Sequence, residues 1–142
     1  MIRNKLSSTL QKLVDAVSKR SQNLSWSAID VTCFDLPDFP EGFMSWFDLP
    51  APVALEPCAD APLFLLAAWL DRDGDALARE LLGQIAAQLG GPVRTWVPEG
   101  YDELRDALAS TEDHAGPFTF IEDIFFVEYP EAMVCFILGN FE

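Results

Sequence analysis

The stretch "FTFIEDIFFVEY" at residues 118–129 is the most strongly β-forming part of the chain and carries three carboxylates, Glu122, Asp123 and Glu128. Two carboxylates that flank one bond can act as general acid and base. Adjacent residues of a strand point to opposite faces, so Glu122 and Asp123 cannot form such a pair. Glu122 and Glu128 would lie roughly 20 Å apart, which is too far. We therefore expect that the protein is not an enzyme, and keep as an alternative a small enzyme with a lone carboxylate in a pocket.

Two other groups of residues resemble metal sites, and neither has the required spacing. The turn "DRDGD" at residues 71–75 begins like a calcium loop, but it lacks the glycine and glutamate needed at positions six and twelve of that loop. The single histidine, His114, has no zinc-knuckle spacing to Cys33, Cys58 or Cys135. No nucleophile elbow and no phosphate-binding glycine loop are present in the sequence. We expect no metal site and no cofactor.

Apolar and polar residues do not alternate regularly along residues 118–129. If successive side chains point to opposite faces, Glu122 and Asp123 place a carboxylate on each face in the middle of the strand. Either a β-bulge turns both side chains outward, or the sheet is open to solvent at this point. The purpose of the acids has two interpretations. Acids in or beside a strand prevent strands of different molecules from pairing. Alternatively, they project from a rigid sheet as a recognition patch.

The net charge of −14 is distributed unevenly along the chain. Residues 1–20 have a charge of +4 and the remaining residues have −18. Ser21–Leu70 contains seven acids and no cation, and Asp106–Glu142 contains eight acids and no cation. A protein that binds nucleic acids or anionic membranes needs cationic side chains to pair with their negative charges, so this composition argues against either as a partner. The acidity indicates either a bias towards solubility or a surface that meets a cationic partner.

The segment "DLPDFPEGFMSWFDLP" at residues 35–50 interleaves aromatic residues with acids. Interfaces with aromatic anchors and a charged rim have this composition. Its three prolines disfavour a strand or a long helix, so we predict an ordered loop with one helical turn near residues 43–47. The alternative is that the aromatic rings only cap the sheet. The candidate partner contacts in this loop are Asp35, Asp38, Phe39, Glu41, Trp46 and Asp48.

Hydrophobic periodicity predicts three helices. A basic amphipathic helix covers residues 4–20, and we expect its apolar stripe to pack on the core beside the acidic body. The second helix covers residues 76–91, with Asp75 as its N-cap and Gly90 at its C-terminal cap. A short third helix follows Pro98–Gly100 and is capped by Asp102.

The predicted strands lie at residues 28–34, 52–57, 62–70, 92–97, 118–129 and 133–138. The run 62–70 is ambiguous between strand and helix, and we favour a strand that forms a hairpin with 52–57. The last strand is apolar on both faces and is expected at the centre of the sheet. This order predicts a single α+β domain, residues 1–142, with a mostly antiparallel sheet of five to six strands. No secretory signal or membrane span is evident, so we expect a cytoplasmic protein.

A small acidic α+β domain without catalytic groups resembles the bacterial immunity proteins. These are inhibitors that protect a cell from its own or a sibling's toxin, including those of contact-dependent growth inhibition systems. The resemblance rests on size, on the acidic span Ser21–Leu70 and on the hairpin "IEDIFFVEYPEAMVCFILGN", and it includes no diagnostic motif.

The resemblance implies a tight complex, formed by a monomer or homodimer, with a cognate toxin domain that is often a basic nuclease. Either the acids of residues 35–50 or Glu122, Asp123 and Glu128 would pair with its cations, with Phe39 and Trp46 as anchors. The alternative is a secretion chaperone, which would be a stable homodimer that holds an extended segment of its client.

Overall fold

Five antiparallel strands form one sheet in the part of the chain that the structure describes. This structure is a computed structural model, and it describes residues 27–46, 49, 53–69, 74–109 and 120–140. In their order across the sheet, the strands are β1 (Ser27–Asp35), β5 (Ala132–Asn140), β4 (Phe120–Glu128), β3 (Arg94–Pro98) and β2 (Leu55–Cys58). The predicted α+β fold with an antiparallel sheet is confirmed. β5 lies between β1 and β4, as its two apolar faces predict.

Four α-helices and one 3-10 turn accompany the sheet within the described ranges. They are the 3-10 turn Leu36–Asp38, α1 (Phe39–Trp46), α2 (Pro62–Trp69), α3 (Gly74–Leu89) and α4 (Tyr101–Ala109). The N-terminal helix predicted over residues 4–20 lies outside the described residues, and so do Asp48 and His114.

The strand predicted at residues 62–70 is wrong, because α2 occupies this run. Pro62 is the first helical residue, where a missing N–H has no cost. Leucine and alanine, which favour helices, make up most of the rest, and no β-branched residue is present. The amides of Phe64 and Leu65 donate to the Ala61 carbonyl at 3.0 and 3.3 Å and begin the helix. The strand β2, expected to pair with this run, pairs with β3 instead.

The segment at residues 35–50 is more helical than predicted. The 3-10 turn leads directly into α1, which has eight residues rather than a single turn. Pro37 and Pro40 both lie in the first turn of their element. Backbone N–H groups of a first turn have no partner within the helix, so proline, which has no N–H, is tolerated there. The Leu49 amide donates to the Met44 carbonyl at 2.9 Å and closes the segment after α1.

Helix α3 follows its predicted apolar stripe. Leu77, Leu81 and Ile85 are buried on one side of it. Gly90 follows with a φ of 92°, and its amide donates to the Ala86 carbonyl at 2.8 Å, which confirms it at the C-terminal cap. Asp75 lies within the first turn rather than before it, and Asp102 has the same position in α4. There each acid still interacts favourably with the positive end of the helix dipole.

Two separate cores cover the two faces of the sheet. The α2/α3 face consists of buried side chains of the sheet that pack with Leu66 of α2 and with the stripe of α3, and these are Val31, Cys33, Phe125, Val127, Tyr129, Ala132, Val134, Phe136 and Leu138. The α1/α4 face packs with Phe39 and Phe43 of α1 and with Leu104 and Leu108 of α4, and its sheet residues are Phe34, Ile124, Phe126, Met133, Cys135 and Ile137. β4 and β5 are therefore buried on both faces.

Candidate functional site

A β-bulge interrupts β4 where the sequence predicts a break. Ile121 lies opposite Gly139 of β5, and Asp123 lies opposite Leu138, so Glu122 is the extra residue. One inserted residue shifts the alternation by one position. Asp123 therefore shares a face with Leu138 and the α2/α3 helices. Of the two alternatives for this break, a bulge or a sheet open to solvent, the structure has the bulge. The side chain of Glu122 lies outside the described residues, so its outward orientation stays a prediction.

Asp123 is half-buried rather than fully exposed at this bulge. The Ile124 amide donates to Asp123 Oδ1 at 2.9 Å. Burial raises the pKa of the Asp123 carboxyl above its usual range, and this hydrogen bond opposes the increase without cancelling it. The carboxylate is therefore less suited than an exposed one to form the charged rim of an interface.

Glu128 already has a partner within the fold. Trp96 Nε1–H donates a hydrogen bond to Glu128 Oε1 at 3.0 Å, and both side chains are half-buried. Arg94 lies opposite Glu128 in the β3–β4 ladder, and its guanidinium carbon is 5.5 Å from the centre of the Trp96 ring. This is the range of a cation–π contact. Glu128 therefore holds an indole ring in place at the end of the sheet.

The acids of residues 35–41 lie at the same end of the sheet as the β4–β5 turn. Asp35 ends β1, Asp38 ends the 3-10 turn and Glu41 lies in the first turn of α1, and all three are exposed. The Leu36 amide donates to the Glu131 carbonyl at 3.0 Å and ties the 3-10 turn to the β4–β5 turn.

Between these two turns lies an open groove of about 500 Å³, here called the acidic groove, which is lined by Asp35, Leu36, Pro37, Asp38, Pro130 and Glu131. Sequence reasoning missed Glu131 as a site residue. The sequence signal was present, because "DLPD" and "YPEA" are both acidic turns that contain proline. The pairing of β1 with β5, which joins the two turns, was not predicted from the sequence.

The candidate acids separate into two places. Asp35 lies opposite Ala132 and Glu128 lies opposite Met133, so these two acids are two strand spacings apart, about 10 Å. Asp123 lies five residues before Glu128 in β4, about 17 Å away, and on the other face of the sheet. Asp35 shares the α2/α3 face with Ala132, whereas Glu128 shares the α1/α4 face with Met133. The structure therefore brings Asp35 and Asp38 together with Glu131 around the acidic groove, and it places Glu128 and Asp123 outside the lining of that groove.

The aromatic side chains of α1 pack in the core of the α1/α4 face. Phe39 is 4% exposed and Phe43 is fully buried. Their rings meet that of Phe126 at centroid distances of 5.5 and 5.2 Å, and that of Phe34 at 6.1 and 6.2 Å. All four contacts are edge-to-face, with interplanar angles between 61° and 80°. In this fold Phe39 anchors α1 to the sheet and offers almost no surface to a partner. The side chain of Trp46 lies outside the described residues.

The arginines of the described ranges have contacts elsewhere. Arg79 pairs with Asp75 at 3.3 Å on α3. Arg105 pairs with Asp102 and Asp106 on α4, at 3.6 and 3.4 Å. All of these pairs lie on exposed helix surfaces, where an ion pair contributes little to stability. None of the three described arginines lines the acidic groove.

The cysteines do not converge on a metal site. Cys33 lies opposite Val134 and Cys135 lies opposite Thr32, so the two buried thiols belong to different cores. None of the three cysteines forms a disulfide. Among the residues that the structure describes, no group of three or more His, Cys, Asp or Glu side chains is arranged to hold a metal ion.

The comparisons with known proteins return nothing. No family model, no curated protein and no solved structure matches this chain. None of the helices in the described ranges has both the length and the apolar character needed to cross a membrane.

Proposed function

We propose that this protein is an inhibitor of the bacterial immunity type, which acts in the cytoplasm by binding a cationic domain of a cognate toxin at the acidic groove. The observation that carries the proposal is the convergence of three exposed carboxylates, Asp35, Asp38 and Glu131, from two segments distant in sequence onto one groove. A surface with one sign of charge steers an oppositely charged partner and accelerates association.

The shape of the acidic groove suits a lysine or arginine side chain. Pro37 and Pro130 supply rigid apolar walls, and carboxylates lie on both sides. A long cationic side chain can lay its methylene groups along such walls while its charged head meets the carboxylates. Glu41, three residues after Asp38 on α1, extends the same negative surface.

The elements that carry these acids are fixed before any partner arrives. The 3-10 turn is bonded to the β4–β5 turn through Leu36 and Glu131, and α1 is anchored by the buried rings of Phe39 and Phe43. A preorganised surface binds more tightly than a mobile one, because less conformational entropy is lost on binding. The groove therefore has the rigidity expected of a surface that recognises a folded domain.

The experiment that tests the proposal begins with capture of partners from lysate of the source cells at moderate salt, followed by mass spectrometry. We expect a basic, folded domain bound one to one. Its association rate should then fall steeply with salt for the wild-type protein. In the triple variant Asp38→Asn, Glu41→Gln and Glu131→Gln, association should be slower and its salt dependence weaker.

A matched control distinguishes the effect of the groove carboxylates from the effect of total net charge. The triple variant Glu56→Gln, Asp60→Asn and Glu80→Gln removes the same charge from exposed acids on β2, after β2 and on α3. It should associate nearly as fast as the wild type. Equal losses in the two triple variants would show that only total charge matters and would exclude the groove. A client held through an extended segment by a dimer would favour the secretion chaperone.

Asp123 favours a second candidate function, a small enzyme with a lone carboxylate. A half-buried carboxyl with a raised pKa is common at catalytic sites, and so are β-bulges. The variant Asp123→Asn keeps an oxygen for the Ile124 amide and removes only the charge. Partner binding that survives this change and is lost in the groove variant would support the inhibitor. The reverse pattern would place the function at the bulge.

A further inference from the structure

Helix α2 has no polar face. Its sequence, "PLFLLAAW", is apolar at every position. Leu66 is fully buried in the α2/α3 core, and Leu63, Leu65 and Ala67 pack partly against it. Phe64, however, is 63% exposed. A helix that is apolar all round is normally covered on all sides. Its exposed flank therefore indicates that another surface packs on α2.

One segment of the chain has the complementary pattern. Residues 4–20 place apolar side chains at helical spacing, and these are Leu6, Leu10, Leu13, Val14 and Val17. Polar residues, chiefly serines and the cations Lys5, Lys12, Lys19 and Arg20, occupy most of the other positions, and residues 1–20 carry a net charge of +4. This segment lies outside the described residues. We propose that its apolar stripe packs on the outer flank of α2, against Phe64.

The charges of the two parts favour this arrangement. The chain after residue 20 carries −18, so the cationic face of the segment meets an oppositely charged body wherever it docks. Glu56 of β2 and Asp60, which precede α2 in the chain, are exposed, and so is Glu80 on α3. Charge alone does not distinguish α2 from the rest of the acidic body. The apolar stripe favours α2, because Phe64 is the large apolar side chain with the greatest exposure in the described ranges.

The segment can reach α2. Six residues, 21–26, connect it to the start of β1, and fully extended they span about 20 Å. Five strands span four inter-strand spacings, about 19 Å. Val31 and Cys33 of β1 belong to the same core as Leu66. The connection therefore reaches any strand on the α2/α3 side without passing to the other face of the sheet.

A double-mutant cycle tests the contact in the full-length protein. We expect Phe64→Ser and Leu10→Ser each to lower the folding equilibrium constant about tenfold, because each removes an apolar side chain that the proposed contact would bury. Together they should cost little more than one alone, since either change already breaks the contact. The control is Val93→Ser, because Val93 is the other exposed large apolar residue of the described part, at 60%. Its effect should be small and independent of Leu10→Ser.

Hydrogen exchange and sedimentation complete the test. Amides of α2 should exchange about tenfold faster in Leu10→Ser than in the wild type, with β5 amides unchanged. Additive effects of Phe64→Ser and Leu10→Ser would overturn the proposal, as would a neutral Phe64→Ser. A Phe64→Ser effect that follows protein concentration, together with a dimer lost in that variant, would instead assign the flank to a second copy of the chain.

Discussion

Replacement of Glu128 can separate its hydrogen bond from its charge. Glu128→Ala leaves the Trp96 indole N–H without the acceptor that now lies at 3.0 Å. An unsatisfied buried donor costs about 1–3 kcal/mol. Because the two side chains are half-buried, water can replace part of this bond, and we expect a loss of about 1–2 kcal/mol. Glu128→Gln removes the same charge but retains an amide oxygen as acceptor. We expect it to lose less than about 1 kcal/mol.

The assay is urea unfolding at neutral pH of both variants, in the wild-type background and in Trp96→Phe. The phenyl ring cannot donate, so the difference between Glu128→Ala and Glu128→Gln should vanish in that background. The chain has four tryptophans, so fluorescence does not report Trp96 alone. The indole N–H resonance of Trp96 does, and its exchange with solvent should accelerate in Glu128→Ala. Equal destabilisation by alanine and glutamine in the wild-type background would refute the hydrogen bond as the contribution of Glu128.

Three further predictions concern stability and are measured by urea unfolding. Burial raises the pKa of Asp123, so ionisation of this carboxyl destabilises the folded wild-type protein. Asp123→Asn should therefore match the stability of the wild type below pH 3.8 and exceed it increasingly as pH rises through the raised pKa. A stability difference that does not change with pH would contradict the desolvation of Asp123. Thr32 Oγ1 is buried with no hydrogen-bond partner, so Thr32→Val should stabilise the fold by about 1 kcal/mol, whereas a loss would reveal a missed acceptor. Gly90→Ala should destabilise the fold by about 1 kcal/mol, because the φ of Gly90 is 92°. Gly83 lies inside α3 with open space around its Cβ position, so Gly83→Ala should stabilise the fold by about 0.5–1 kcal/mol. Equal effects at both glycines would argue against the backbone explanation.

The fold could be predicted where the hydrophobic period is clear. The stripe of α3 and the two apolar faces of β5 both led to correct elements, since burial leaves a direct imprint on such segments. The run 62–70 failed because it is apolar at every position, so it carries no period. The strand order also could not be predicted, because the pairing of β2 with β3 depends on contacts across the sheet and not on a local pattern.

The candidate site was predictable in composition and not in arrangement. The acids of residues 35–41 stand out from the sequence, and the broken alternation at Glu122 and Asp123 indicated a bulge as one of two alternatives. Glu131 and the separation of Asp123 from Glu128 required the register of the strands. The burial of Phe39 also could not be predicted from the sequence. An acidic segment that contains aromatic residues has the same composition whether its rings face a partner or the core.

The pairing of β1 with β5 links the acidic groove to the kinetics of folding. These strands are about 100 positions apart in the sequence, so their ladder closes a long loop. Contacts of such long range slow folding, and β1 is expected to join a hairpin of β4 and β5 that has already formed. Asp35 and Asp38 meet Glu131 only when that step is complete. An incompletely folded chain thus has the acids without the groove, and a partner that needs the groove will bind only molecules that have finished folding.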